Sequence, residues 1–169
     1  MRCHGAWLWG LLWLWLPLAG GRPVRPEKVR ADTRSLARTL SARIQLLQLF
    51  PLGPRVLGLE AMPGERAPEG LGAMEQRLQL FQRLLSALPA AAAPPPQVLS
   101  DLENLRSLLA ALAAHLGCGP PHPEAPPPPP PGLAELLAQA PHTAAGVALA
   151  RLRACLDGIA ARLDAAPAC

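Results

Sequence analysis

Tyrosine is absent from this 169-residue chain, lysine occurs once at Lys28, and asparagine occurs once at Asn104. All four Trp (Trp7, Trp9, Trp13 and Trp15) fall within the first fifteen residues, so Phe50 and Phe81 are the only Phe, Tyr or Trp rings beyond them. A nucleic-acid surface that interleaves aromatic rings with dense positive charge is therefore excluded, and the net charge of +4 is modest for such a partner. Asn104 is followed by Leu105 and Arg106, which rules out an N-glycosylation acceptor. There is no Gly-rich phosphate loop and no paired set of carboxylates of a catalytic kind. His115, Cys118 and His122 fall one ligand short of a closed zinc site, so no metal and no cofactor is expected.

Charge is also scarce, at 17% of residues, whereas hydrophobic residues make up 50%. That balance excludes a wholly disordered chain, even with 22 Pro and 14 Gly, because the prolines cluster between apolar segments. Leu and Ala dominate, and no stretch alternates apolar and polar residues with a period of two. The chain therefore reads as helical.

At the start, Arg2 precedes an apolar run from Ala6 to Ala19, shorter than the roughly 20 residues of a membrane span. With the small residues Ala19, Gly20 and Gly21 after it, the pattern is that of a secretory signal peptide over residues 1–21. The mature chain is then residues 22–169, secreted, with no later stretch fit for membrane insertion. Cleavage removes every Trp and Cys3, leaving Cys118, Cys155 and Cys169. An oxidising compartment would pair two of the three, and three pairings are open. Cys155 falls inside a helical pattern, where a buried thiol is common, whereas Cys118 and Cys169 lie just outside helices. Their placement favours Cys118–Cys169, a cross-link worth about 4 kcal/mol on the chain-entropy model.

Four segments carry apolar residues at spacings of three and four, predicting helices over about 26–48, 73–88, 97–116 and 144–164. The first follows Val29, Thr33, Leu36, Leu40, Ile44 and Leu47, with Pro26 at its opening. The second follows Met74, Leu78, Phe81, Leu85 and Leu88 and is stopped by Pro89. The third follows Val98, Leu102, Leu105, Leu109, Leu112 and Leu116, with Ser100 and Glu103 spaced as a capping box and Gly117 as a stop. The fourth follows Leu149, Leu152, Leu156, Ile159 and Leu163, with Thr143 as the expected N-cap.

The connections are long, short and long. Pro and Gly crowd residues 50–72, eight residues separate the middle helices, and a proline-rich segment with six consecutive prolines, Pro126 to Pro131, precedes the last helix. A crossover back along a helix needs about ten or more extended residues, whereas an antiparallel neighbour needs only a turn. The fold class is therefore all-α, an up-up-down-down four-helix bundle. Leu133, Leu136 and Leu137 predict a short helical turn in the last crossover that caps one end of the core.

Several runs of residues resemble the leptin family of long-chain helical cytokines. Asp101-Leu102-Glu103-Asn104-Leu105-Arg106, with Leu108-Leu109 and Cys118, is similar to the family's third helix. Lys28-Val29, Asp32-Thr33 and Arg43-Ile44 resemble its first helix, and Gly58-Leu59-Glu60 with Pro63-Gly64 its first crossover. Val147-Ala148-Leu149, Arg151-Leu152, Leu163-Asp164, Pro167 and Cys169 resemble its last helix and carboxyl terminus. These matches run in order along nearly the whole mature chain.

The resemblance implies a hormone without catalytic activity that binds the ectodomain of a class I cytokine receptor, the leptin receptor, and reports energy stores. It also implies the Cys118–Cys169 disulfide. The family's main receptor face carries over to Asp32, Ser35, Arg38, Thr39 and Arg43 on the first helix and to Gln97, Asn104 and Leu108 on the third. Independently, Asp32, Ser35, Thr39 and Arg43 recur at three and four beside the Leu36–Leu40–Ile44 stripe, so they share one exposed face. A second receptor contact carries over to Leu59, Glu60, Ala61, Met62 and Thr143. The chain departs from the family there: Ala61 replaces an aromatic, and Ala144 replaces one of two adjacent hydroxyl residues. The hexaproline run has no family counterpart, and Cys155 replaces a small polar residue. A monomer is expected, and for Cys155 two states are open, a buried free thiol or a link between two chains. The alternatives are another helical cytokine and, from a different class, a secreted amphipathic lipid carrier, which would also be rich in Leu, Ala and Arg but would show wider apolar faces than these stripes.

Overall fold

A computed structural model describes residues 25–47, 62–118, 132–165 and 169. The expected leader, most of the first crossover and the hexaproline run lie outside the described residues. The helices are α1 (Pro26–Leu46), α2 (Leu71–Ser86), α3 (Pro96–His115), α4 (Leu133–Gln139) and α5 (Pro141–Asp164). No strand occurs among the described residues.

Prolines set three of the helix starts. Pro26, Pro96 and Pro141 each occupy the first helical position, where the missing N–H has no partner to lose and the fixed φ suits the helix. As a result α5 begins three residues before its expected start, with Ala140 as N-cap and Thr143 inside the first turn. For the same reason Ser100 and Glu103 lie within α3 and form no capping box. Helix α1 stops at Leu46 rather than residue 48, because Leu47 turns extended. Helix α2 is shifted two residues toward the N-terminus, starting directly after Gly70.

The apolar stripes meet in one core. Leu40, Ile44, Leu71, Leu78, Phe81, Leu85, Leu102, Leu105, Leu109, Leu112, Leu152 and Leu156 are all but fully buried. Three stripe positions depart from full burial, among them Leu47, which packs half-buried just past the end of α1. On α1 Ala37, beside the expected stripe, is fully buried, and Leu36 packs half-buried at the edge. At the end of α3, Leu116 is exposed, because the helix has already stopped at His115. Leu136 of α4 is buried and α4 packs against α5, closing the core as the short helical turn was expected to do.

Helix α1 packs against α3 and α5, and α2 packs against the same pair. Cross-helix hydrogen bonds give the directions. Arg30 Nε donates to the Leu163 carbonyl at 2.6 Å, and Ser41 donates to Asp157 at 2.5 Å, so α1 and α5 run antiparallel. Arg43, at the end of α1, pairs with Asp101 near the start of α3. On the other side Arg106 of α3 reaches Glu75, while Glu103 accepts from Gln82, so α2 and α3 also run antiparallel. These pairings are consistent with the up-up-down-down order read from the loop lengths.

The end of α3 prepares the disulfide. Gly117, at φ +73°, takes the left-handed turn that ends the helix. Its N–H donates to Ala114 and the Cys118 N–H to Ala113, the paired bonds of a Schellman motif. Cys118 is thereby held at the helix end, and its sulfur is bonded to Cys169 across 51 positions of sequence. Cys155 is a buried free thiol on α5.

Candidate functional site

Two helices supply the candidate face. On α1, residues 32, 35, 39 and 43 recur at one flank of the buried stripe, and that flank adjoins α3. Asp32, Ser35 and Thr39 are exposed, and Arg43 is half-buried. On α3, Gln97 and Asn104 are exposed, and Leu108 is half-buried against the core edge. Their spacing of four and seven puts them on the flank that meets α1. The structure therefore brings together the α1 and α3 residues named from the sequence, with one exception. Arg38 lies one position off the α1 row and donates to Asp164 of α5 at 2.8 Å, on the opposite flank.

Asp101 organises one end of the face, where the last turn of α1 meets the start of α3. Its side chain is 8% exposed, one carboxylate oxygen pairs with Arg43 Nη1, and the other accepts from Gln97 Nε2 at 2.7 Å. Both donors belong to the face, so a buried carboxylate ties α1 to α3 beneath the exposed groups. Asp101 stands in the family-like run Asp101–Arg106 but carries no expected role there. The available signal was its spacing, four after Gln97 and three before Asn104, which puts it on the same flank. Its burial requires Arg43 to arrive from α1, and that is a tertiary fact.

The second expected contact is less accessible. Leu59, Glu60 and Ala61 lie outside the described residues. Met62 is described and its side chain is buried in the core at 4% exposure. Its carbonyl accepts from Arg151 of α5 at 3.2 Å, which pins the end of the crossover against α5. Thr143 is half-buried in the first turn of α5, and Ala144 beside it is fully buried. A hydroxyl at 144 would therefore face the interior.

Electrostatics on the remaining surface is dominated by ion pairs between helices. Asp164 gathers Arg34 and Arg38, and the hydrogen bond from Arg34 is the main reason its carboxyl lies below the ordinary value of 3.8. Arg30, one turn earlier, donates to the carbonyls of Leu163, Asp164 and Ala165 and so satisfies the end of α5. On the far side Arg106 bridges Glu75, Gln82 and Glu103. No group of three or more metal-ligating side chains is found among the described residues. None of the described helices is long and apolar enough to cross a membrane. Burial pushes the Cys155 thiol up from 9.0 to about 11, against a smaller opposite effect of Arg77.

An all-helical bundle with a disulfide-tied carboxyl terminus and a lateral polar face across α1 and α3 has the build of a helical cytokine. The family model for leptin matches residues 25–169. The chain is 35% identical to leptin of Phoca vitulina over 173 residues and 36% identical to leptin of Canis lupus familiaris over 172, with both partners covered in full. Leptin of Macaca mulatta is 34% identical over 165 residues, covering 96% of this chain and 97% of its own. The chain belongs to the leptin family, whose members are hormones and not enzymes.

Proposed function

We propose that the mature chain, residues 22–169, is a secreted hormone that binds the ectodomain of a class I cytokine receptor, the leptin receptor. By activating it, the hormone reports energy stores and regulates feeding and metabolism. The observation that carries this reading is the α1–α3 face, where Arg43 and Gln97 meet on Asp101 at one end of a row along which Asp32, Ser35, Thr39 and Asn104 are exposed. Arg is enriched among the residues that dominate interfaces because a planar guanidinium with several donors recognises carboxylates and carbonyls. Leu108 adds an apolar edge to the face. Arg38 serves at its margin, and its pairing with Asp164 leaves it a lesser role than Arg43.

The second contact, carried by Leu59, Glu60, Ala61 and Thr143 without the buried Met62, completes the signalling assembly. Ala61 gives it less side-chain area than the family pattern carries, and large side chains supply most interface energy, whereas the buried Ala144 takes no part in it. Within this reading the leader at 1–21 directs secretion, and the chain acts as a monomer whose Cys155 stays a thiol. The buried stripes of the described helices support a closed bundle over a lipid carrier, which would present those faces to lipid.

The test is binding of the mature chain to purified leptin-receptor ectodomain, with Arg43→Ala beside it and circular dichroism to establish folding. Binding that Arg43→Ala weakens by about tenfold or more supports the reading. A folded, helical chain that does not bind contradicts it. If lipid vesicles then raise its helicity, the lipid reading takes its place.

A further inference from the structure

We infer that Asp101 is the positioning residue of the α1–α3 face: its buried carboxylate holds the Arg43 guanidinium and the Gln97 carboxamide in one arrangement for an acceptor-bearing partner. The inference rests on the receptor reading above and adds to it both the residue that organises the face and the chemistry of the group it presents. A carboxylate at this depth is costly unless its oxygens are engaged, and both are: one by Arg43 Nη1, the other by Gln97 Nε2 at 2.7 Å. Among the described residues no buried side-chain polar atom lacks a hydrogen-bond partner, so this pairing is complete.

The arrangement differs from a tie that only joins two helices. Arg43 keeps 36% of its side chain exposed, and Gln97 is exposed as well, so the groups fixed by Asp101 still reach the surface. A guanidinium carries five N–H donors, more than one carboxylate can use. Freezing a long Arg side chain before binding removes part of the ordering cost of association, which otherwise falls on the complex. The partner group that fits such a fork is a carboxylate or a backbone carbonyl. By contrast, Arg106 satisfies Glu75, Gln82 and Glu103 across α2 and α3 with a side chain only 18% exposed, a pairing that serves the bundle itself.

The mature chain and its Asp101→Asn, Asp101→Ala and Glu75→Gln variants are compared by receptor-ectodomain binding and by thermal unfolding. Arg43→Ala and the Asp101→Ala, Arg43→Ala double variant complete a cycle. Asp101→Ala is expected to weaken binding by about tenfold, Asp101→Asn by less, and the Arg43→Ala background to absorb most of the loss. Glu75→Gln is expected to lower the melting temperature without changing binding. In the free wild-type protein, NMR of the Arg43 guanidinium is expected to show restricted rotation that Asp101→Asn relaxes, which needs no receptor and no Ala variant. Asp101 variants that fold and bind like wild type, additive losses in the cycle, or a freely rotating Arg43 guanidinium overturn the inference alone. Wild-type protein that does not bind the ectodomain overturns the receptor reading with it.

Discussion

Gly70 and the terminal Cys169 lie so close that a β-carbon added to Gly70 would stand 2.6 Å from the Cys169 carbonyl oxygen. Gly70 also has φ +84°, a backbone state that side chains disfavour, and it is the residue from which α2 starts. The carboxyl terminus, the disulfide and the first turn of α2 thus meet at one point of the bundle.

Gly70→Ala is therefore expected to destabilise by more than the 1–3 kcal/mol typical of backbone strain alone. Gly117 supplies the control, because its φ is +73° but nothing lies within 4 Å of an added β-carbon. Thermal unfolding of the two Ala variants should place Gly70→Ala lower. Equal melting temperatures would show that the close approach at Gly70 is not maintained.

Reduction of Cys118–Cys169 frees a loop spanning 51 positions of sequence. The chain-entropy model gives about 4 kcal/mol for that constraint, which lowers the melting temperature of a domain this size by roughly 10 °C. Calorimetry of Cys118→Ser, Cys169→Ser against the oxidised wild type measures it. An unchanged melting temperature would contradict a stabilising role for the cross-link.

Cys155 is buried, and burial raises its thiol to about 11. The folded protein should resist thiol reagents at pH 8 and react after unfolding, as a quantitative thiol assay would show. Because the folded value lies above the ordinary 9.0, the protonated thiol contributes stability that is full below pH 9 and lost as pH rises from 9 toward 11. Rapid alkylation in the native state would contradict this burial.

Asp164 moves the other way. Its folded carboxyl lies below 3.8, chiefly through the hydrogen bond from Arg34, so it contributes stability above that pH and loses it as pH falls through the lowered value. The pair is exposed, so added salt should weaken the effect. Asp164→Asn should melt below wild type at neutral pH, and the gap should close in strong acid. A gap that is constant with pH would mean that the charge is not the cause.

Much of the architecture was legible in the sequence, because each helix has an apolar stripe of the right period. Met74, Leu78, Phe81, Leu85 and Leu88 share one such stripe, and all are buried. The Cys118–Cys169 bond was readable from the two residues lying outside helices, and family resemblance pointed the same way. Finer features depend on partners that periodicity does not weigh. Leu36 and Ala37 both border the stripe, and the approach of neighbouring helices places the smaller residue inward. Thr143 and Ser100 have capping chemistry, but Pro141 and Pro96 open their helices first. Arg38 joins the α1 face by family resemblance alone; the three-and-four spacing already leaves it off that row, and it pairs with Asp164 of α5. Asp101 reads as an ordinary helix acid until Arg43 covers it.

Receptor activation in cells offers the clearest comparison. The folded mature chain would be applied to matched cells with and without the leptin receptor, alongside Arg43→Ala. A response confined to receptor-bearing cells, and shifted to about tenfold or higher concentration by Arg43→Ala, is the result expected of a hormone acting through the α1–α3 face. Silence from a folded chain would contradict the hormone function, and a response indifferent to Arg43 would contradict the face.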